Sequence, residues 1–181
     1  MTRVVLNLRM EAFMMILDKS NISVSTKNSL FMERDQCGKN KSEILQEIGQ
    51  LLEVTVKDSV HKTVNINSFL YWIKPAILHN QYILIDSKGS IEPIGYLIWA
   101  WVDNKTLLGY LNNDHFILHP MCWNEGNNLI IVDFLCTEKP YTLSVIKKLY
   151  RNARYKAFIS CRDINICIRD KSGLVIKHNR K

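Results

Sequence analysis

The chain has 181 residues, of which 47% are hydrophobic and 23% charged, and its formal net charge is +7. This composition is typical of one globular domain and excludes low-complexity and collagen-like proteins. The longest apolar run, Pro93 to Val102, is too short for a transmembrane helix. Because the N-terminus also lacks a clear signal-peptide cleavage site, we expect a cytoplasmic protein without a membrane span.

The first half of the chain predicts two helices after an extension. Residues 1–39 show no clear pattern, so we treat them as an N-terminal extension of uncertain order that precedes a domain over 40–181. Asn40 with Glu43 predicts a capped helix that continues to about Lys57. Asn65 predicts the start of a second helix, which Pro75 should kink or divide.

The second half predicts a sheet with two more helices. Two apolar runs flank Ser87–Ser90, which indicates a hairpin, and the second run is apolar on both faces, as in a central strand. Asp103 predicts a helix start, and Pro140 suits the first turn of a later helix. A strand is predicted between them at "NLIIVDFLC", residues 128–136. The C-terminal runs "YKAFISCR", "NICIRD" and "GLVIKH" predict further strands, the last two joined by a turn over 170–173. This order favours an α+β domain around one mixed sheet.

Asp133 is the most informative residue of these strands, because it stands in the middle of an otherwise apolar run. A buried carboxylate without a partner is costly, so it needs either a structural partner or a chemical task. His61 is one candidate partner, since it lies in a predicted loop between two helices and a histidine oriented by a carboxylate is a recurring acid–base pair. Spacing does not show that they meet, and a structural ion pair would explain Asp133 equally well.

The central part of the sequence resembles a known enzyme family over about residues 43–175. The matching pieces, in order, are His61 shortly after a serine, Pro75-Ala76-Ile77, Asn80-Gln81-Tyr82, Trp99-Ala100, Tyr110-Leu111-Asn112, Trp123 and "IIVDF" ending at Phe134. This series resembles the RTX toxin-activating lysine acyltransferases, the hemolysin-activator family. The resemblance implies a fold similar to the GCN5-related N-acetyltransferases.

The same resemblance implies an activity and a site. The family moves a fatty acyl chain from acyl carrier protein to internal lysines of an RTX protoxin, which leads to cytolysis, and it binds no other cofactor. Its essential histidine and aspartate fall on His61 and Asp133. His61 could act as a base for the lysine ammonium or could carry the acyl group covalently. A homodimer is implied by the resemblance alone.

Basic residues provide a candidate surface for the carrier protein, which is acidic. They lie on the helix predicted after Pro140, and they are Lys147, Lys148, Arg151 and Arg154. Opposite charges would favour encounter with the carrier, whereas an ordinary solvated helix would show the same residues.

Three other functions compete with this interpretation. A CoA-dependent N-acetyltransferase would need a glycine-rich pyrophosphate loop, and "CTEKPYT" contains no glycine. An inactive homologue is possible, because "FLCTEKP" follows Asp133 where the family has Trp-Ile-Ala-Pro-Phe-Gly. A basic nucleic-acid-binding module is disfavoured because the aromatic residues lie in apolar runs. His115, His119 and Cys122 lack a fourth ligand, so we expect no metal site.

Overall fold

The computed structural model describes residues 38–58, 64–87, 92–138, 142–159, 164–170 and 172–179. Most of the N-terminal extension, His61, Pro140 and the tip of the first predicted hairpin lie outside these ranges. The helices are α1 (Lys41–Lys57), α2 (Ile66–Leu78), α3 (Asn104–Asn112) and α4 (Thr142–Ala157), with a 3-10 helix at Pro120–Trp123. The strands are β1 (Tyr82–Asp86), β2 (Pro93–Val102), β3 (Asn128–Cys136), β4 (Ile164–Asn165), β5 (Cys167–Arg169) and β6 (Val175–His178).

Four of these strands form one mixed sheet in the order β1-β2-β3-β4. The pairs β1–β2 and β2–β3 are antiparallel, and β4 is parallel to β3. The strands β5 and β6 form a separate two-stranded sheet. The predicted α+β class with one mixed sheet is confirmed, and the arrangement is consistent with an acetyltransferase-like fold. Within the described ranges, no helix is long and apolar enough to cross a membrane.

The predicted helix starts are confirmed by their side-chain caps. Asn40 accepts from the Glu43 N–H at 2.9 Å, and the Glu43 carboxylate accepts from the Asn40 N–H at 2.7 Å. Asn65 accepts from the Ser68 N–H at 2.8 Å to start α2. Each cap satisfies N–H groups that the first helical turn leaves unpaired.

The structure tests two sequence predictions about helices. Pro75 was expected to kink or divide the second helix, and the division does not occur, since Pro75 lies inside the single element Ile66–Leu78. Its missing N–H removes one helical hydrogen bond, but Ile73, Ala76 and Ile77 around it are fully buried and hold the helix in place.

The predicted strand "YKAFISCR" was also wrong in its first part, because Tyr155–Ala157 are the last residues of α4. Phe158 then adopts a positive φ of 54°. The N–H groups of Phe158 and Ile159 bond the carbonyls of Tyr155 and Arg154. This Schellman ending stops the helix without glycine or proline, so the usual sequence signal for a helix end is missing.

The main sheet has a different helical layer on each face. On one face, called the cavity face below, α1 and α2 pack against Tyr96, Ile98 and Ala100 of β2. On the other, called the α4 face, α4 packs against Leu97 and Trp99 of the same strand. Burial on both faces confirms β2 as a central strand and explains why its sequence is apolar throughout.

Candidate functional site

A β-bulge in β3 decides which face of the sheet Asp133 occupies. Asp133 lies opposite Ile98, but the next residue of β2, Trp99, lies opposite Ile131, so Val132 is an extra residue in β3. Regular alternation after Ile131 would place Asp133 on the α4 face. The bulge breaks this alternation, and both Val132 and Asp133 face α2 on the cavity face. Bulges commonly redirect side chains in this way beside functional sites.

Tyr110 of α3 fastens the bulge. Its hydroxyl donates to the Ile131 carbonyl at 2.7 Å and accepts from the Cys167 N–H at 2.8 Å. Burial raises the pKa of Tyr110 above its ordinary value, against a smaller lowering from the Cys167 hydrogen bond. The phenol therefore stays protonated and remains a donor. It connects α3, β3 and β5 at the point where β3 is irregular.

Tyr96 is a hydrogen-bond partner of the Asp133 carboxylate, as expected for a carboxylate in an apolar strand. Its hydroxyl donates to Oδ2 of Asp133 at 2.8 Å. Tyr96 is fully buried, whereas Asp133 is half-buried at the cavity wall. Burial raises the pKa of Tyr96 well above its ordinary value, and the Asp133 charge and hydrogen bond raise it further. Tyr96 is thus a neutral donor across the working pH range.

A cavity of about 820 Å³ opens beside Asp133. Its lining comes from α2 and the residue before its N-cap, from the segment before the 3-10 helix and from β3, and consists of Val64, Asn67, Ser68, Tyr71, Trp72, Phe116, Ile117, Leu118, Val132 and Asp133. Most of this surface is apolar, and Asp133 is its one carboxylate among the described residues. A large apolar pocket with a few polar groups is the usual form of a small-molecule or acyl-chain site.

The candidate partner of Asp133, His61, lies outside the described residues. The described residues on either side of its segment are Asp58 and Val64. Asp58 caps the C-terminal end of α1, is buried and acts on Tyr96 through its charge. Val64 lines the cavity together with Asp133. The two described residues that border the His61 segment are therefore related to the Tyr96–Asp133 pair, Asp58 through its charge and Val64 through the cavity.

The basic residues predicted to dock the carrier lie elsewhere. Lys147, Lys148 and Arg151 are exposed on α4. Arg154 is half-buried, with its guanidinium carbon 5.9 Å from the centre of the Tyr150 ring. Because α4 covers the α4 face of the sheet, these side chains and Asp133 lie on opposite faces.

The histidine and cysteine pattern at 115–122 has a structural explanation. His119 Nδ1 accepts from the Met121 N–H at 3.2 Å and so caps the 3-10 helix. No group of three or more His, Cys, Asp or Glu side chains in the described ranges could hold a metal ion.

Sequence reasoning selected Asp133 but missed Tyr96 and the function of Tyr110. Both tyrosines stand in apolar segments, where an aromatic residue usually indicates core packing. The available signal was their hydroxyl group, since a buried phenol requires a hydrogen-bond partner.

Comparison with known proteins gives a family. A sequence model of the HlyC family, described as the RTX toxin acyltransferase family, matches residues 38–176, which is more than half of the chain. No curated protein matches the chain.

Proposed function

Because the chain belongs to the RTX toxin acyltransferase family, we propose that it transfers a fatty acyl chain from acyl carrier protein to internal lysines of an RTX protoxin in the cytoplasm. One observation carries the proposal most directly. The bulge in β3 turns Asp133 onto the wall of a large apolar cavity, where a carboxylate and a long acyl chain would meet.

The reaction requires removal of a proton from lysine. A lysine side chain is an ammonium ion at neutral pH and has no lone pair for attack. In the proposed step His61 accepts that proton, and the ε-nitrogen attacks the thioester carbonyl of the donor. An amide bond forms, the carbon–sulfur bond breaks, the second proton that the nitrogen loses passes to the departing thiolate, and the proton held by His61 is released to solvent.

Asp133 supports His61 in this step. A carboxylate orients the imidazole and stabilises the imidazolium that forms when it accepts a proton. The same pair serves a covalent route, in which the His61 imidazole first takes the acyl group from the thioester and then passes it to lysine. Support for the pairing comes from Asp58 and Val64, which flank the His61 segment: the Asp58 charge acts on Tyr96, and Val64 lines the cavity with Asp133.

The shape and lining of the cavity fit an acyl chain better than an acetyl group. Each buried methylene contributes about 0.8 kcal/mol, so an apolar pocket of this size favours a long chain. The segment "FLCTEKP" follows Asp133, and its first three residues, Phe134, Leu135 and Cys136, complete β3. Its departure from the family pattern therefore concerns the surroundings of Asp133 and leaves the carboxylate itself in place.

Carrier docking through α4 is a separate part of the proposal. Lys147, Lys148 and Arg151 provide an exposed basic surface that complements an acidic carrier. A carrier bound there has to deliver its acyl chain around the edge of the sheet to reach the cavity face. The thioester of a carrier protein hangs on a long flexible arm, which makes such a delivery feasible.

The test is an acylation assay with the full-length protein. The protein is incubated with an RTX protoxin and with acyl carrier protein charged with short or long chains, and lysine mass shifts are read. Acetyl-CoA in place of the carrier forms a parallel arm. We expect long-chain acyl-lysine from the carrier, none with His61→Ala, and no acetyl-lysine. Acetyl-lysine alone would support the acetyltransferase alternative, and no modification in either arm would support an inactive homologue.

A further inference from the structure

Tyr96 places a buried phenol against a carboxylate. The hydroxyl donates to Asp133 Oδ2 at 2.8 Å, and the Tyr96 side chain is fully buried. Hydrogen bonds to charged acceptors are roughly twice as strong as neutral ones. They are stronger still where water is excluded. The pair therefore fixes one oxygen of a carboxylate that otherwise borders an open cavity.

We propose that Tyr96 is a positioning residue for acyl transfer, holding one oxygen of the Asp133 carboxylate in place at the cavity wall so that its remaining acceptor sites stay available for the acid–base step. The proposal rests on the proposed function, because it assigns Tyr96 a part in the same reaction. A carboxylate has about four acceptor positions, so the bond from Tyr96 leaves room for an imidazole N–H.

The surroundings of Tyr96 connect it to the other half of the site. The Thr55 side chain lies near the Tyr96 phenol, and the Asp58 charge acts on it. Thr55 and Asp58 are buried at the end of α1, immediately before the segment that contains His61. The Thr55 hydroxyl is itself held by a 2.8 Å hydrogen bond to the Leu51 carbonyl. Tyr96 thus lies between the end of α1 and Asp133 on the cavity face.

The bulge in β3 explains why the Asp133 side chain needs a fixed hydrogen-bond donor. Ladder pairing is interrupted at Val132, so the strand backbone constrains the direction of the Asp133 side chain less than in a regular strand. The Ile98 position opposite Asp133 offers only an apolar side chain. The phenol two residues earlier on β2, on the same face, provides the fixed donor.

The first test uses the conservative variant Tyr96→Phe in the acylation assay. We expect kcat to fall about tenfold, because a charged hydrogen bond is lost, while KM for the acyl carrier stays unchanged. In an Asp133→Asn background the same change should lower kcat less than about twofold, since Tyr96 acts through the charge that is already gone. Tyr155→Phe, at a tyrosine that is 80% exposed on α4, is the matched control and should leave both constants unchanged.

The second test does not depend on activity. Urea unfolding of wild type, Tyr96→Phe, Asp133→Asn and the double variant gives a thermodynamic cycle. We expect a coupling of about tenfold in the unfolding constant. The same cycle with Asp58→Asn should give a coupling below about twofold, because the Tyr96 phenol is neutral and the Asp58 charge has the smallest of the effects on it.

The two tests separate the possible failures. If the wild type transfers no acyl group but the Tyr96–Asp133 cycle shows coupling, the proposed function fails and the pairing stands. If transfer occurs and the kcat effects of Tyr96→Phe and Asp133→Asn simply multiply, Tyr96 has only a packing role and the positioning proposal is overturned. Absence of coupling in the unfolding cycle would overturn it as well.

Discussion

The two faces of the main sheet use the same strands for different purposes. On the α4 face, Leu97 and Trp99 of β2 pack against Ile146 and Leu149 of α4 in a continuous apolar layer. On the cavity face, the neighbouring residues of the same strand pack against α1 and α2, but this layer also contains the Tyr96–Asp133 pair. The α4 face thus supplies packing, while the cavity face combines packing with polar groups and open volume.

A single extra residue controls which face holds the carboxylate. With Val132 accommodated as a bulge, Asp133 reaches Tyr96 and the cavity. In a regular strand it would lie among the apolar residues of the α4 face, where an unpaired carboxylate is costly. The difference between the faces therefore rests on strand register rather than on composition.

The largest expected effect comes from neutralising the carboxylate of the cavity face. Asp133→Asn keeps the shape of the side chain and removes its charge, so acyl transfer should fall about 10²- to 10⁴-fold. The measurement is the rate of acyl-lysine formation by mass spectrometry. Asp103→Asn is the matched control, since Asn is as good a helix cap as Asp, and it should retain full activity. Normal activity of folded Asp133→Asn would remove Asp133 from the mechanism.

The next largest effect concerns the Tyr110 hydrogen bonds that hold the bulge in β3. Tyr110→Phe removes the donor to Ile131 and the acceptor for Cys167, which leaves two buried backbone groups without their partner. We expect the free energy of unfolding to fall by about 1–3 kcal/mol. Urea denaturation measures this change, with Tyr155→Phe as the exposed control. Unchanged stability would mean that the bulge persists without this phenol.

A smaller effect should follow from narrowing the cavity. Ser68 of α2 lines it, and Ser68→Phe would exclude two or three methylenes of a long acyl chain. At about 0.8 kcal/mol each, the preference for long over short chains should fall about 10- to 50-fold. The ratio of rates with the two carriers measures this preference. Leu143→Phe on α4, exposed and outside the cavity lining, should leave the ratio unchanged, and an equal shift in both variants would argue against the cavity as the chain site.

The smallest effect on the rate of acyl transfer is expected from the exposed basic side chains of α4, which are proposed to bind the carrier. Lys147→Glu with Arg151→Glu should slow transfer about threefold or more at limiting carrier and low salt. The defect should shrink at high salt or saturating carrier, because surface charges are screened over about 8 Å at physiological ionic strength. Lys41→Glu with Lys105→Glu changes the net charge equally on exposed sites of α1 and α3. Equal slowing by both pairs would indicate a general charge effect, and no slowing by the α4 pair would place the carrier elsewhere.

Local signals made much of the fold predictable. Asn40 and Asn65 predicted the helix starts correctly, because a cap depends only on residues within one turn. The continuous apolar run of β2 likewise predicted a strand that is buried on both faces. The end of α4 was misread, since a Schellman ending at Phe158 leaves no glycine or proline in the sequence.

The candidate site was only half predictable, for a physical reason. The position of Asp133 within a strand follows from its neighbours, but its face depends on the register between β2 and β3, which are separated in sequence by α3. Tyr96 was missed because its role arises from that register as well. The link to His61 came from the family resemblance, as no local pattern connects residues so distant in the chain.

The central claim is that the acyl chain binds on the cavity face beside Asp133. Its most direct test is photo-crosslinking of the full-length protein with acyl carrier protein that bears a diazirine at the end of its acyl chain, followed by mapping of the modified peptides. We expect modification of cavity residues such as Tyr71, Ile117 and Leu118, and its loss when unlabelled acyl carrier competes. Modification confined to α4, for example at Leu143 or Tyr155, would contradict the claim and place acyl binding on the opposite face of the sheet.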